Sequence, residues 1–522
     1  MAEKSRFIKF PEIPHGTKRE DGSLILNRWS STVTNDHEFA AAQAQLYACG
    51  IKNEHDMKTK PQIVLDLGRA VKDAVEKLGN IGWLYSPNGI SDAVTMGHEG
   101  MRFSLPSREL IADSIESATC GQLHDGNISI PGCDKNMPGC IMAMARHNRP
   151  SVLIYGGTIL PGKASPRFPK GSNVSSCFEI LGAFHYGNAT KEEVDDVTRN
   201  ACPGCPGMFT ANTMSTAMEV MGLTVPGSSS IPAMAFKNIP ATSANANPTK
   251  EVIIEPAKMR ECANAAAALQ VCMEKNIRPR DLITKRSLEN ALVMTMVLGG
   301  STNAALHFLA IAHAADISDF GIKDIQRVSD KTPYIANLKP SGLYYMSDLY
   351  ELGGTPAVTK LLIEAGLMDG GIITVTGKTL KENVANAPVI DFSSTDVLRP
   401  LSNPLKKTGH LRVLFGNLAP GGAVAKITGK EGTSFKGKAR VFDSEELATA
   451  ALNSGQLNPD EPTVLVVRYE GPKGGPGMPE QLKSSGALIG AGLKQVALIT
   501  DGRYSGASHG FSKFIIPRKY SK

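Results

Sequence analysis

The pattern of helix-like and strand-like segments changes near residue 370, and this change constrains the possible fold more than any other feature of the sequence. Before it, helix-length segments alternate with short apolar runs. After it, five β-branched runs follow one another between glycine and proline turns, from GIITVTG at 371 to QVALITDG at 495. Alternating helices and strands predict an α/β domain, and successive strands predict a strand-dominated one. We therefore predict two domains, 28–370 and 371–522, after an N-terminal extension of residues 1–27, with the boundary inside 330–375.

Individual elements of the first domain can be predicted from apolar spacing. Leu67, Val71 and Val75 follow one face of an amphipathic helix, with charges opposite. Helices are predicted over 63–79, 138–147, 259–275 and 291–298, and a buried strand over 151–155. A further helix starts after a pair of glycines, with Ser301 or Thr302 as its N-cap. That helix start could bind an anion, or it could be an ordinary capped helix.

The composition excludes several classes of protein. Of the 522 residues, 42% are hydrophobic and 20% are charged, and 56 basic residues against 50 acidic ones give a net charge of +6. These values are typical of globular proteins and offer no basic stripe for nucleic acid. No apolar run reaches the roughly 18 residues needed to cross a bilayer. All nine cysteines lie in the first 272 residues, which does not suit a disulfide scaffold and indicates a reducing intracellular compartment. The N-terminus shows neither a secretory apolar region nor a convincing transit pattern.

Cys133, Asp134 and Lys135 form the densest polar cluster of the first half, in I-P-G-C-D-K-N-M-P-G. Thiolate sulfur selects iron or zinc and carboxylate oxygen selects Mg²⁺, so this loop can address a soft and a hard metal side by side. A surface loop with an incidental cysteine is the alternative. Cys202 and Cys205, in C-P-G-C, are open to a redox or a zinc interpretation, although no second pair at zinc-site spacing accompanies them.

Two more carboxylates, Asp92 and Glu480, lie in glycine-rich loops, where backbone can approach a ligand closely. The loop T-D-G-R-Y-S-G-A-S-H-G follows the predicted strand VALI. It places a set of polar residues at the carboxyl end of that strand: Asp501, Arg503, Ser505, Ser508 and His509. The spacing differs from the hydrolase nucleophile elbow, so an esterase is not indicated.

The sequence resembles the dihydroxy-acid dehydratase family, which shares its fold with phosphogluconate and sugar-acid dehydratases. Five motifs carry the resemblance in the family's order: G-I-S-D-A-V-T-M-G-H-E-G-M-R-F-S-L-P-S-R (89–108), C-D-K-N-M-P-G-C-I-M-A (133–143), C-P-G-M-F-T-A-N-T-M (205–214), L-G-G-S-T-N-A-A-L-H (298–307) and A-L-I-T-D-G-R-Y-S-G-A-S (497–508). The similarity runs from about residue 28 to about residue 511. It implies an α/β protein with an N-terminal doubly wound parallel-sheet domain and a C-terminal, strand-rich, swivelling β-barrel-like domain.

The resemblance also implies a hydro-lyase that converts 2,3-dihydroxy-3-methylbutanoate and 2,3-dihydroxy-3-methylpentanoate to 2-oxo acids in valine and isoleucine biosynthesis. It implies a 2Fe-2S cluster and Mg²⁺ as cofactors. By motif, Cys133 and Cys205 match cluster ligands, Asp92, Asp134 and Glu480 match Mg²⁺ ligands, Lys135 matches a lysine that carbamylation makes a further oxygen ligand, and Ser505 matches the catalytic base. The partners are then a small dihydroxy acid and a second copy in a homodimer, with neither nucleic acid nor membrane. In a eukaryote the location would be mitochondrial, with the cytoplasm as the alternative.

The chain departs from the family pattern at three places. Between 61–62 and 65–67, relatives carry an extra strand and an N-P-C-N-x-H loop with a third cluster cysteine, whereas this chain reads P-Q-I-V-L-D-L-G. Cys49 lies upstream and does not match that motif. C-P-G-C-P-G-M replaces a longer family segment, and S-K-F-I-I-P-R-K-Y-S-K replaces the closing strands of the barrel. We expect a parallel sheet that lacks one strand, an incomplete barrel and a cluster that lacks a ligand.

These departures leave several functions open. A mis-spliced segment and a wrong last exon would make the natural protein an ordinary dihydroxy-acid dehydratase. A diverged paralogue with an impaired cluster could serve as a binding or resistance protein. A non-catalytic protein that binds Mg²⁺ or a sugar acid is another possibility, and a sugar-acid dehydratase is the alternative within the enzyme class.

Overall fold

The structure is a computed structural model, and it describes residues 63–202, 204–239, 249–429, 432, 434–455, 457–508 and 512–515. Within this part of the chain, helices dominate up to residue 383, and a mixed sheet follows from residue 411. Cys49, His509, the junction at 61–62 and the predicted extension 1–27 lie outside the described residues.

The first part of the chain consists mainly of helices. In chain order these are α1 Ile63–Lys77, α2 Asp92–Thr95, α3 Ser104–Gly121, α4 Asn136–His147, α5 Val174–His185, α6 Lys191–Asn200, α7 Thr210–Val220, α8 Pro256–Glu274, α9 Pro279–Leu282, α10 Lys285–Leu298, α11 Asn303–Ala314, α12 Ile322–Lys331, α13 Met346–Glu351, α14 Gly354–Glu364 and α15 Leu380–Asn383. A 3₁₀ turn, Glu99–Phe103, precedes α3. The four helices predicted from apolar spacing correspond to α1, α4, α8 and α10 and are confirmed.

Local sequence explains where these helices lie and end. The predicted apolar face of α1 is buried at Leu67 and Val71, and α1 packs on α8. Gly299 ends α10 with a φ of +77°, and a Cβ there would lie 2.6 Å from the Tyr334 ring, so the stop requires glycine. Thr302 is the N-cap residue of α11 and makes no side-chain cap bond, while Oγ of the preceding Ser301 accepts the Asn303 N–H at 3.1 Å. The helix predicted after the two glycines is present, and both interpretations of its start, an anion site and an ordinary cap, stay predictions.

The strands of the first part are β1 Asn127–Ser129, β2 Ser151–Leu153, β3 Met234–Ile239 and β4 Thr249–Ile254. β1 and β2 pair in parallel, and β3 and β4 form a separate antiparallel pair. Single parallel bridges extend the first pairing, from Leu153 to Thr224 and from Thr158 to Pro232. Parallel pairing is thus found, and the strand predicted at 151–155 is present in shortened form. A doubly wound sheet is not found among the described residues, because the adjoining chain pairs through single bridges and not through strands.

The second part of the chain forms one mixed six-stranded sheet of order β5-β6-β10-β9-β8-β7. Its elements are β5 Leu411–Leu414, β6 Ala423–Lys426, β7 Lys438–Phe442, α16 Glu445–Asn453, β8 Thr463–Val467, α17 Lys483–Gly490, β9 Val496–Thr500 and β10 Ser512–Ile515. β7 to β10 are parallel, and β6 is antiparallel to both β10 and β5. The described strands leave the sheet open, with β5 and β7 at its edges. The barrel-like closure that the resemblance implies is therefore absent from this part of the chain.

Four of the five predicted β-branched runs form strands, namely β5, β7, β8 and β9. GIITVTG at 371–377 forms a turn, so that strand prediction is wrong. Its Val375 is fully buried and donates its N–H to the Gly222 carbonyl at 2.9 Å. Among the described residues this run makes one isolated antiparallel bridge, from Ile373 to Thr379, and its apolar side chains are placed by tertiary contacts, which override β propensity.

The two parts of the chain share one hydrophobic core. A continuous cluster of buried side chains includes Ile141 and Leu292 of the first part and Leu465 and Leu498 of the second. Helix α17 packs directly against α5. This packing places the loops that precede and follow β9 beside the first part of the chain. Among the described residues, no helix has the length and apolar composition required to traverse a bilayer.

Candidate metal centre

Asp92 enters the site from the start of α2 and is 2% exposed. Ser104, the first residue of α3, donates its hydroxyl to Oδ1 of Asp92. Burial raises the pKa of Asp92, but the cations of Lys135 and Arg503 outweigh this effect and hold the pKa below its usual value. Asp92 is therefore an ionised carboxylate whose orientation is fixed by its neighbours.

Lys135 lies at the centre of the site, in the loop between β1 and α4, and its side chain is fully buried. Its Nζ contacts Oδ2 of Asp92 and lies 2.8 Å from Oε1 of Glu480 and 3.8 Å from Oδ2 of Asp134. Burial and the Arg503 cation lower the pKa of Lys135, but the three carboxylates raise that pKa by more, to above its usual value. An ammonium group thus occupies the space between three carboxylates, where a bound cation could lie.

Glu480 reaches the site from the loop between β8 and α17. A single parallel bridge pairs it with Arg503, which follows β9. Gly477, in the same loop, has a φ of +74°, and a Cβ there would lie 1.6 Å from the Arg102 carbonyl oxygen. The loop can approach the first part of the chain this closely only with glycine. It thereby brings a carboxylate from the second part to Lys135 in the first.

The two carboxylate oxygens of Glu480 have different surroundings. Oε1 accepts hydrogen bonds from Lys135 at 2.8 Å, from Nδ2 of Asn303 at 2.7 Å and from Nη1 of Arg503. Oε2 is buried and has no hydrogen-bond partner among the residues that the structure describes. A buried oxygen without a donor carries a free-energy cost, and such an atom calls for an explanation such as a missing ion or ligand.

Asp92, Asp134 and Glu480 form a buried carboxylate triad. Their ligand oxygens all lie within 4.8 Å of one another, and each residue is at most 3% exposed. Burial and the Asp92 charge raise the pKa of Asp134 well above its usual value, because a desolvated site and a neighbouring carboxylate both disfavour the charged form by more than the Lys135 cation favours it. Oxygen ligands are those that Mg²⁺ prefers. The donor set and the unpartnered oxygen of Glu480 therefore fit Mg²⁺.

Ser505 lies in the loop after β9 and is 7% exposed. The next residue, Gly506, fixes the position of this loop. A Cβ on Gly506 would lie 2.5 Å from the Thr210 nitrogen and 2.9 Å from Oγ of Ser301. The serine loop therefore packs against the N-terminal ends of α7 and α11, and it continues directly from Arg503, which contacts the triad.

Cys133 and Cys205 lie beside the triad. Cys133 is buried, and the Cys205 thiol donates to Oδ1 of Asp134 over 3.9 Å. Burial and the Asp134 charge raise the pKa of both thiols well above the usual value. Iron–sulfur clusters are generally held by four protein ligands. The residues matched to cluster ligands that lie in the described part of the chain are two, Cys133 and Cys205, so the 2Fe-2S cluster stays a prediction.

The remaining sequence candidates have structural partners. Among the described residues, the eight cysteines, with Cys202 among them, form no disulfide, so the C-P-G-C pair is not a disulfide. Asp501 accepts the N–H groups of Tyr469 and Glu470, each at 3.1 Å. Ser508 pairs with Ser485, Oγ to Oγ, at 2.8 Å. These two side chains hold loops together and are not part of the triad.

Sequence reasoning missed four residues around the triad: Ser104, Arg108, Asn303 and His307. Nη1 of Arg108 lies 3.3 Å from Nδ1 of His307. Burial and the Arg108 cation hold the pKa of His307 well below its usual value, so its imidazole is neutral. The available signal was spacing, since Asn303 and His307 are four residues apart on α11 and lie on one helix face.

Comparison with known proteins identifies the family. The profile of the dihydroxy-acid/6-phosphogluconate dehydratase N-terminal domain matches residues 50–383, and that of the C-terminal domain matches residues 396–517. A mitochondrial dihydroxy-acid dehydratase of Aspergillus fumigatus is 49% identical over 517 residues, which cover 96% of this chain and 81% of the relative.

Similar relatives come from yeast and from a bacterium. A mitochondrial dihydroxy-acid dehydratase of Saccharomyces cerevisiae is 47% identical over 508 residues, covering 93% of this chain and 83% of the relative. A dihydroxy-acid dehydratase of Francisella tularensis subsp. novicida is 47% identical over 506 residues, covering 93% and 85%. The chain is an enzyme of the dihydroxy-acid/6-phosphogluconate dehydratase family.

Proposed function

We propose that the protein is a Mg²⁺-dependent hydro-lyase that dehydrates 2,3-dihydroxy-3-methylbutanoate and 2,3-dihydroxy-3-methylpentanoate to their 2-oxo acids in valine and isoleucine biosynthesis. The observation that carries the proposal is the buried triad of Asp92, Asp134 and Glu480 around Lys135. The relatives support the reaction, since each is named a dihydroxy-acid dehydratase at 47% to 49% identity.

Asp92, Asp134 and Glu480 would hold the Mg²⁺ ion, together with a modified Lys135. An ammonium group repels a metal cation, whereas carbamylation by CO₂ replaces its charge with an oxygen anion that can bind the metal. When bound, Mg²⁺ supplies a Lewis acid for the carboxylate and the 2-hydroxyl oxygen of the substrate. The loss of the Lys135 charge leaves Arg503 in contact with Glu480, which retains one positive side chain beside the triad.

Ser505 would accept the proton from C2 of the substrate. A serine hydroxyl is a weak base in water, but the ends of α7 and α11 against which its loop packs carry partial positive charge and favour an anionic oxygen. The electrons of the C2–H bond form the C2–C3 double bond as the C3–O bond breaks. The departing hydroxide takes up the proton that Ser505 removed from C2, which gives water and restores the anionic oxygen of Ser505, and the enol then moves its hydroxyl proton to C3 to give the 2-oxo acid.

The 2Fe-2S cluster that the resemblance implies has two proposed ligands in the described residues, Cys133 and Cys205. Their position beside Asp134 supports this assignment, but the described residues do not complete the ligand set. The steps above therefore use only the side chains of this chain, and none of them passes through the cluster.

A sugar-acid dehydratase is the second candidate function. The family profiles that match this chain name 6-phosphogluconate dehydratase alongside dihydroxy-acid dehydratase. The carboxylate triad would serve either substrate, because both are 2,3-dihydroxy acids and differ only in the groups attached to C3. The third candidate is a catalytically impaired paralogue. It would bind the acid without converting it, and a turnover test distinguishes it from the two enzymes.

Turnover by the purified protein tests the proposal. The full chain, purified without oxygen and supplied with Mg²⁺ and bicarbonate, is given 2,3-dihydroxy-3-methylbutanoate, gluconate or 6-phosphogluconate, and the 2-oxo acid is quantified. We expect turnover of the branched acid, its loss in Ser505→Ala, and its retention in the control Ser508→Ala, which removes another hydroxyl of the Ser505 loop, one that bonds Ser485 of α17. Faster turnover of a sugar acid would support the second candidate. Binding of the branched acid without turnover would support the impaired paralogue.

Domain division, assembly and location are further parts of the proposal. The matched ranges 50–383 and 396–517 support two domains with bounds close to 28–370 and 371–522.

We propose that the protein is a homodimer with the dihydroxy acid as its small-molecule partner. Light scattering of the purified protein measures the number of subunits. An intracellular, mitochondrial location is proposed because two fungal relatives are named mitochondrial.

A further inference from the structure

The hydrogen bonds of Glu480 are distributed unevenly over its two oxygens. Oε1 accepts from Lys135, Asn303 and Arg503, while Oε2 is buried and has no partner in the described part of the chain. A carboxylate free to rotate would divide its donors between both oxygens. The three donors on one side therefore fix the rotation of the carboxylate group and direct the other oxygen away from them.

The side chains that hold Oε1 are themselves fixed. Asn303 is fully buried at the first position of α11, where its N–H donates to Oγ of Ser301 and its Nδ2 also lies 3.2 Å from Oγ1 of Thr210. Arg503 is fully buried, and its Nε donates to the Met478 carbonyl at 2.7 Å. Neither donor can turn without losing these bonds.

We propose that Asn303 and Arg503 are positioning residues that hold Oε1 of Glu480, so that Oε2 is presented to the metal ion. The inference rests on the proposed Mg²⁺ centre and adds two residues to it. Lys135 cannot supply this function in the loaded enzyme, because carbamylation removes its ammonium donors, whereas Asn303 and Arg503 keep theirs. Groups that orient a metal ligand in this way commonly contribute about tenfold to a hundredfold to metal affinity or activity.

Asn303 and Arg503 hold Glu480 from different parts of the chain. Asn303 belongs to the first part of the chain, and Glu480 and Arg503 belong to the second, so the bond from Asn303 joins the two parts at the metal ligand. Once carbamylation has removed the Lys135 donors, the loss of Asn303 should therefore remove the hydrogen bond that ties Glu480 to the first part, while the loss of Arg503 should release Glu480 within the second part.

The test measures Mg²⁺ affinity by titration calorimetry on the full chain, independently of turnover. Asn303→Ala should bind Mg²⁺ about tenfold to a hundredfold more weakly than wild type. The matched control is Asn290→Ala, since Asn290 is 2% exposed in α10 and exchanges two hydrogen bonds of 2.9 Å with Asp369. Asn290→Ala should lose about as much stability in EDTA as Asn303→Ala, but it should keep the wild-type Mg²⁺ affinity.

A second pair of variants keeps the test decisive if Asn303→Ala does not fold. Arg503→Met should weaken Mg²⁺ binding by a similar factor, and Arg503→Lys should restore part of it, because lysine keeps a charged donor for Oε1 but not the bond to Met478. Wild-type affinity in the Asn303 and Arg503 variants, or an equal loss in Asn290→Ala, would overturn the inference, as would absence of Mg²⁺ binding by the wild type. Mg²⁺ binding that depends on Asn303 without any dehydration would refute the proposed function and leave the positioning roles intact.

Discussion

Replacing Lys135 by methionine would remove the cation from the centre of the carboxylate triad while keeping an unbranched side chain of similar size. In the metal-free protein the three carboxylates would then face one another, fully buried, with no ammonium among them. Asp92 and Glu480 would lose their closest charged contact on the first part of the chain. The variant should therefore be less stable than wild type in EDTA.

The magnitude follows from the contacts. Opposite unit charges about 4 Å apart attract by about 4 kcal/mol at the effective dielectric constant of about 20 that suits protein sites. Removing one partner of a buried ion pair costs about 3–5 kcal/mol, because the other charge remains buried. We expect a loss in this range for Lys135→Met. The variant should recover part of this lost stability at low pH. Burial and Asp92 already raise the pKa of Asp134, so the folded protein keeps a proton on Asp134 at pH values where the unfolded chain releases it. The stability deficit of the variant should therefore grow as the pH rises.

The assay is urea unfolding followed by circular dichroism, first in EDTA and then with Mg²⁺. Mg²⁺ at about a hundred times its Kd adds about 2.7 kcal/mol to the stability of a protein that binds it only when folded. Without bicarbonate the wild type must displace the Lys135 ammonium group to bind Mg²⁺, so Lys135→Met should gain more stability from Mg²⁺ than the wild type does and regain part of its loss. The matched control is Lys258→Met. Lys258 is also fully buried, donating to the Tyr155 and Ser228 carbonyls and to Glu261, but it lies outside the triad. Lys258→Met should lose about as much stability in EDTA as Lys135→Met, and Mg²⁺ should stabilise it by no more than it stabilises the wild type. Wild-type stability of Lys135→Met in EDTA, or equal recovery of both variants, would refute the reasoning.

Two other variants probe the surroundings of the site. Gly506→Ala places a Cβ 2.5 Å from the Thr210 nitrogen, so the loop that carries Ser505 must shift. The free energy of unfolding should fall by about 1–3 kcal/mol, and kcat should fall while the Mg²⁺ affinity measured by calorimetry is kept. An unchanged kcat would contradict this expectation. Burial and the Lys426 cation lower the pKa of His410 to about 3, so the unfolded chain binds a proton below pH 6.5 that the folded protein refuses. Stability should fall between pH 6.5 and pH 3 by up to about 5 kcal/mol, and His410→Gln should flatten that dependence in urea unfolding at stepped pH, whereas an unchanged slope would exclude His410 as its source.

Local sequence predicts the helices of this protein well. Leu67 and Val71 predict the buried face of α1, and the glycines at 299–300 predict the end of α10, because apolar period and cap chemistry act within one or two turns. The strands β5, β7, β8 and β9 were predictable for the same reason, since each is a β-branched run between turn residues. The turn at 371–377 was not, because Val375 is placed by a distant contact with Gly222.

The candidate site divides along the same line. Asp92, Asp134, Lys135 and Glu480 could be named from their motifs before any contact was known, and the structure brings all four together. The hydrogen bond from Asn303 to Glu480 could not be predicted, because it joins residues 177 positions apart and nothing near either residue in sequence marks the other. The uneven surroundings of the two Glu480 oxygens are likewise visible only in three dimensions.

The extent of the two sheets was the least predictable feature. The resemblance implies a doubly wound sheet and a barrel-like domain, whereas the described residues form a two-stranded parallel pair and an open six-stranded sheet. Sheet closure depends on strand tilt and on pairing between distant edges. Neither quantity is encoded in the local alternation of apolar residues by which the single strands were predicted.

The most direct test of the central claim is a crystal structure of the protein grown with Mn²⁺ and bicarbonate, with anomalous diffraction recorded at the manganese edge. We expect one anomalous peak within bonding distance of Asp92, Asp134 and Glu480, with Oε2 as the Glu480 ligand and additional density on Nζ of Lys135. A free Lys135 ammonium group bonded to Asp92 and Glu480, with no anomalous peak among the three carboxylates, would contradict the assignment of this triad as the metal centre.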